Sequence, residues 1–171
     1  EDTAQIHRYT MQEIYDFVQS VPVEELVFIR RAFDVNMELF QAGLDSTRTG
    51  FVKGLYRLND NTVFSKDEVT TAELLCNGAI EARVIGLDKP AMSITGSGAH
   101  GIICTMPLLA VSVIRQLPEE KLLRATALSY LVTMYIKEYS GRLSAFCGCA
   151  IAAGTGMACA LAYMKGGGLR E

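Results

Sequence analysis

The stretch from Gly141 to Gly168 constrains this chain more than any other, because after Arg142 it runs 22 residues, Leu143 to Met164, without a charged side chain. Small residues dominate it. Ala145, Cys149, Ala152, Ala153, Gly156 and Ala160 recur three or four positions apart, which on a helix makes a flat stripe that admits a second backbone at close range. Three structures satisfy such a run: a membrane span, the central helix of a helical domain, and a helix whose first turn presents thiols to a metal or a substrate.

A second uncharged run, Ala91 to Ile114, poses the same question. Composition argues against the bilayer for both. The first run in chain order holds Gly96, Gly98, Gly101, His100 and a central Pro107, and the second draws its apolar character from Ala, Gly and Cys rather than Leu, Ile and Phe. Neither has aromatic belts or a strong Lys/Arg asymmetry at its ends. The expectation is therefore no membrane partner, and two apolar helices buried by amphipathic ones.

Those amphipathic partners are legible. Thr10-Met-Gln-Glu13 fits a capping box and predicts a short helix from Met11 to about Ser20, with residues 1–20 a loosely attached N-terminal piece and His7 in a frayed start. Pro22, Glu24 and Glu25 suit a first helical turn, and Leu26, Ile29, Phe33, Met37 and Phe40 fall at helical spacing before a stop at Gly43. Between Leu44 and Ser65 the period weakens, and a hairpin around Val52 to Phe64 competes with a loop holding a helical turn. Ser65-Lys-Asp-Glu68 reads as a second capping box for a helix reaching about Gly86. Gly96, Gly98 and Gly101 predict a loop, followed by a helix over 102–114 interrupted or kinked at Pro107. Pro118-Glu-Glu starts a further helix that ends at Gly141. Strand-like alternation is nearly absent, so the class is all-α: one helical domain over 1–171 with two buried central apolar helices and a Gly-rich loop.

A net charge of −3 with scattered Lys and Arg leaves no basic face for nucleic acid. Five cysteines, an odd number without a disulfide-framework spacing, indicate a reducing, cytoplasmic setting. The acidic start EDTAQIHRYT is unlike a secretory signal, and the missing initiator Met and the terminal GGGLRE read as the ends of an excised piece.

Gly96-Ser97-Gly98-Ala99-His100-Gly101, leading into an apolar helix, has the makings of an anion cradle in which backbone amides turn toward one point. It lacks the Lys-Ser/Thr of a nucleotide P-loop, so a small carboxylate is the better match, and a tight connection between packed helices is the alternative. His100 has the chemistry of a general base, or of a satisfied core residue. Lys137 and Arg142 bracket the turn before the last stretch, where they would clamp a carboxylate or complement a helix dipole. Cys147-Gly-Cys149 is too closely spaced for a zinc knuckle, but one of its thiols could ligate an iron–sulfur cluster completed from elsewhere, or both could simply pack. Cys76, Cys104 and Cys159 read as packing residues.

The series MSITGSGAHGIICTMPL, followed by RATALSYLVTMYIKEYSGRLSAFCGCAIAAGTGMACALAYMKGGG, resembles the serine dehydratase α-chain superfamily, and within it the branch containing L-cysteine desulfidase. The likeness runs from about Val21 to the C-terminus and is carried by GSG-H-G, Tyr-Ile-Lys, Gly-Arg-Leu-Ser and CGCA in that order. It implies a cytoplasmic β-elimination enzyme with a largely helical catalytic domain and a 4Fe–4S cluster in place of pyridoxal phosphate, one iron acting as a Lewis acid toward the substrate. The products would be pyruvate and ammonia, with sulfide from L-cysteine or water from L-serine. On the matching positions, Ser97, Gly98, Ala99 and Gly101 would hold the substrate carboxylate, His100 would be the base, and Cys147 or Cys149 a cluster ligand. A homo-oligomer stays open. Two departures stand out: similar enzymes carry Asn where Ala99 stands, and their Gly-Cys-Thr-Glu-Pro-like and Cys-Asp-Gly-Ala-Lys-like cluster motifs are not in this chain. The resemblance thus implies an incomplete ligand set and a fragment inactive alone. The rival expectation, from a different class, is a non-catalytic helical binding or assembly domain for a small carboxylate.

Overall fold

Local chemistry sets several helix boundaries in the computed structural model, which describes residues 4–141 and 147–170. Thr10 Oγ1 accepts from the Glu13 amide at 3.2 Å while the Glu13 carboxylate accepts from the Thr10 amide at 2.8 Å, and this capping box opens α1, Met11–Ser20. That helix buries Ile14 and Val18 in the core. The segment around His7 is docked rather than frayed: His7 Nε2 lies 2.9 Å from the Tyr135 carbonyl, and its ring stacks on Tyr139.

Pro22 caps a tight 3₁₀ segment, Val23–Ile29, which runs into α2, Arg30–Asp45. Gly43 does not stop α2. It is buried two residues before the end, where an added Cβ would lie 3.0 Å from the Ala82 Cβ and 3.1 Å from the Gly78 carbonyl, so its lack of a side chain permits a close crossing. The ambiguous stretch that follows is helical over α3, Phe51–Leu58, and not a hairpin. Its start is capped from a distance: the Glu81 carboxylate accepts from the amides of Gly50, Phe51 and Val52 at 2.7–3.0 Å. Asp60 and Asn61 then turn the chain with positive φ.

Helix α4, Glu68–Val84, is capped by Asp67, whose carboxylate accepts from the amides of Val69 and Thr70 at 2.8 and 2.9 Å. The expected Ser65–Glu68 box does not form, because Ser65 Oγ donates instead to Asn59 Oδ1 and Glu68 turns to Arg115 and Lys165. Helix α5, Gly98–Ile114, passes Pro107 without interruption. Helix α6, Glu119–Ser140, follows Pro118 and ends at Gly141 with φ +74°. The C-terminal stretch is a π-turn, Cys149–Gly154, that continues as α7, Thr155–Met164.

The protein is all-α. Among the described residues the only β pairing is an isolated bridge between Ile94 and Ser97. Helix α5 is the wall shared by two packed clusters: Ile102 and Met106 face Leu39, Phe40, Leu74 and Leu75 of α2 and α4, while Leu108 and Val111 face α1, the 3₁₀ segment, α6 and α7. Gly156 lets α7 lie directly on α6, since a Cβ there would sit 2.4 Å from both the Ser129 carbonyl and Thr133 Oγ1. None of the helices described is long and apolar enough to cross a membrane.

Candidate functional site

The Gly-rich segment is organised by a two-residue turn and a helix cap. Ile94 and Ser97 exchange backbone hydrogen bonds at 3.2 and 3.0 Å across Thr95 and Gly96, both with positive φ. Ser97 then caps α5, its hydroxyl accepting from the His100 amide at 3.3 Å. Residues 98–101 are therefore the first helical turn and not a loop. The amides of His100 and Gly101 are already taken, by Ser97 Oγ and by the Ser97 carbonyl at 3.2 Å, which reduces an anion cradle to at most Gly98 and Ala99. The glycines serve a second purpose here. A Cβ on Gly101 would lie 1.9 Å from the Met92 carbonyl, and one on Gly98 would lie 2.5 Å from Arg83 Nε.

His100 is buried, with 6% of its surface exposed, and its Nδ1 is 3.2 Å from Thr95 Oγ1. Burial, and then the nearby Lys137 charge, push the imidazole below its ordinary pKa, so it stays uncharged to lower pH than a free histidine. Lys137, on the last turn of α6, is buried as well. Both line a cavity of about 900 Å³ together with Thr95, Gly96, Ser97 and Glu138.

Gly148 connects this pocket to the thiols. A Cβ at Gly148 would meet the His100 ring at 2.8 Å and Lys137 Nζ at 3.4 Å, so the residue between the two cysteines rests directly on the basic pair. Cys147 is exposed and caps the helix start: the amides of Ala150 and Cys149, and then the Cys149 thiol, hold its pKa below the ordinary value. Cys149 is shifted the other way, by burial first and by Cys147 second. Cys104 and Cys159 are pushed up by burial and Cys76 to about 12, so Cys147 alone among the five is drawn toward thiolate.

The fold thus brings His100, Lys137 and Ser97 to one cavity, with Gly98, Ala99 and Gly101 in the same first turn of α5 and Cys147 and Cys149 flanking the Gly148 that meets His100 and Lys137, while Arg142, with the Leu143–Ser144 part of its motif, lies outside the described residues. Sequence reasoning missed two contributors. Arg83, at the end of α4, stands against Gly98 and adds positive charge near Cys149, and Thr95 touches His100. Nothing local distinguishes Arg83 from any surface arginine, whereas Thr95-Gly96 was readable as a turn. Among the described residues no group of three or more His, Cys, Asp or Glu side chains could hold a metal ion.

Relatives agree with this chain along almost its full length. It is 44% identical over 170 residues to a UPF0597 protein of Clostridium botulinum strain Hall, covering 99% of this chain and 39% of that protein. A UPF0597 protein of Methanocella arvoryzae is 42% identical over 163 residues, covering 95% and 38%, and one of Clostridium tetani is 35% identical over 167 residues, covering 98% and 38%. The chain therefore spans about two-fifths of the length of the curated relatives it matches. No solved structure matches it. The family profile described as serine dehydratase alpha chain matches residues 2–171, and the chain belongs to that family.

Proposed function

We propose that this chain forms part of a cytoplasmic, iron–sulfur-dependent and pyridoxal-phosphate-independent lyase that removes the β-substituent of L-cysteine or L-serine, giving pyruvate and ammonia with sulfide or water. The observation that carries this reading is Cys147, an exposed thiol held toward thiolate by helix-start amides, one residue from the glycine on which His100 and Lys137 converge. Cluster irons are held by thiolates, and the donor chemistry of Cys147 fits one such ligand of a 4Fe–4S group. The remaining ligands would come from outside the described residues. When bound, the cluster supplies a Lewis-acidic iron to the leaving group.

The chain's own residues do the rest. His100, uncharged at neutral pH, takes the proton from the substrate Cα through a ring nitrogen. As the Cα carbanion collapses, its electron pair forms the Cα–Cβ double bond and the Cβ–S or Cβ–O bond breaks, the departing hydrosulfide or hydroxide taking the proton from His100 to leave as hydrogen sulfide or water. The aminoacrylate tautomerises to the imine and hydrolyses to pyruvate and ammonia. The Lys137 ammonium and the positive end of α5 at Gly98 and Ala99 orient the substrate carboxylate. Ser97 and Gly101 keep that first turn in place, and the burial of His100 keeps bulk water from the proton it holds.

The test is anaerobic reconstitution of the full-length protein with iron and sulfide. A brown chromophore and pyruvate formation from L-cysteine or L-serine are expected, with Cys147→Ala losing both and Cys149→Ala keeping the chromophore. A full-length protein that takes up no cluster and forms neither sulfide nor pyruvate overturns the proposal.

A further inference from the structure

Thr95 occupies a backbone conformation that its side chain disfavours. A β-branched residue at φ +55° is a rare outlier, and in a two-residue turn before glycine Asn or Asp would fit with less strain. Strain of this kind persists where surrounding contacts hold it, and it clusters at functional sites. The contacts here are two. Thr95 Oγ1 donates to the Ile94 carbonyl at 2.7 Å and lies 3.2 Å from His100 Nδ1.

A threonine hydroxyl has one hydrogen to give. The 2.7 Å contact is the ordinary length of an O–H···O bond, whereas 3.2 Å is the long end of the N–H···O range, so the hydrogen goes to Ile94. Toward His100 the same oxygen then presents only lone pairs. The ring must answer with a hydrogen on Nδ1, which leaves the lone pair on Nε2. Nε2 and Cε1 are the ring atoms that a Cβ on Gly148 would meet, each at 2.8 Å, with Lys137 Nζ at 3.4 Å from the same point, so this edge of the ring faces the residue between the two cysteines.

We propose that Thr95 is a positioning residue that fixes His100 as the Nδ1–H tautomer and so presents Nε2 as the proton-accepting atom of the site. This rests on the reading of His100 as the base. The strained turn acquires a reason: Thr95 must point inward from residue 95 to reach Nδ1, and Ser97, which caps the same helix turn, keeps the His100 backbone in register with it.

The experiment uses the full-length protein with ¹⁵N-labelled histidine, the His100 ring resonances being identified by their loss in His100→Gln. In the wild type, Nδ1 carries the hydrogen at neutral pH. Thr95→Val removes the hydroxyl but keeps β-branching at the strained position; Thr95→Ser keeps the hydroxyl. Thr95→Val should lose the Nδ1–H preference and Thr95→Ser retain it. In the elimination assay, Thr95→Val should lower kcat about tenfold or more with little change in KM, within the range that general base catalysis supplies, and Thr95→Ser should restore it to within about threefold of wild type. A wild-type ring protonated on Nε2, an unchanged tautomer in Thr95→Val, or equal kcat losses in the two variants overturns the proposal. The spectra do not depend on turnover, so a protein without lyase activity that still shows the tautomer switch would refute the function and keep the role of Thr95.

Discussion

The two uncharged runs look alike as sequence and end in different places. Of the seventeen residues of α5, Gly98–Ile114, twelve are buried, because α4, α6 and the C-terminal helix cover it from several sides. In the second run α7 buries Gly156, Ala160, Tyr163 and Met164 against its neighbours, while Ile151 in the preceding π-turn is 45% exposed and Cys147 lies open. An apolar helix is thus buried to the extent that other helices reach it, and its composition only permits this. The chemistry follows the same division. Cys104 within α5 is a packed thiol touching Thr133, whereas Cys147, exposed just ahead of the π-turn, is the one thiol of the five whose pKa is held below its ordinary value.

The largest test of this difference is Gly101→Ala. Its Cβ would meet the Met92 backbone at 1.9 Å where α5 is buried and Met92 lies over it, so a loss of about 3 kcal/mol or more is expected in thermal or denaturant unfolding. A mild effect would mean that α5 is not clamped. Next, Ile102→Ala should cost about 2–5 kcal/mol while Ile151→Ala stays within about 1 kcal/mol; similar values at both positions would erase the contrast between the two runs.

Gly148→Ala addresses the site rather than the core. Its methyl group must displace the His100 ring, so the proposed elimination should slow by about tenfold or more, with a smaller drop in Tm than Gly101→Ala produces. Alkylation by iodoacetamide near neutral pH, read by peptide mass spectrometry, should modify Cys147 first and leave Cys104 untouched; equal labelling contradicts the environments described for the two runs.

The smallest expected effect is in pH dependence. Because burial and Lys137 depress the His100 pKa, the acid limb of kcat/KM should lie below 6.5, and Lys137→Gln should move it upward. For stability the sign is that of a histidine buried in its neutral form. The unfolded chain binds the proton more readily, so stability declines as pH falls through about 6.5, and His100→Gln should flatten that decline.

Helix identity was legible wherever the signal is local. Thr10 and Glu13 cap α1, and Gly141 ends α6, because each acts through residues within one turn. Where the partner is distant, local signals misled. Gly43 reads as a stop until α4 is laid against it, and 51–58 reads as ambiguous until Glu81 supplies its cap from across the fold. The GSGAHG segment pointed to a loop because three glycines favour flexibility, yet two of them are glycine because Met92 and Arg83 come too close for a side chain.

By itself, then, the sequence determined the all-α class, the starts of α1, α4 and α6, and the candidates His100, Lys137, Cys147 and Cys149, since periodicity, capping and side-chain chemistry act over a few residues. Only the tertiary structure decided that these candidates meet, with Gly148 resting on His100 and Lys137 and Thr95 turned inward to the imidazole. Convergence of elements separated by tens of residues depends on how α5, α6 and the C-terminal helix pack. Which of two similar apolar runs is buried along most of its length and which leaves Cys147 and Ile151 exposed is likewise a property of the neighbours each one finds.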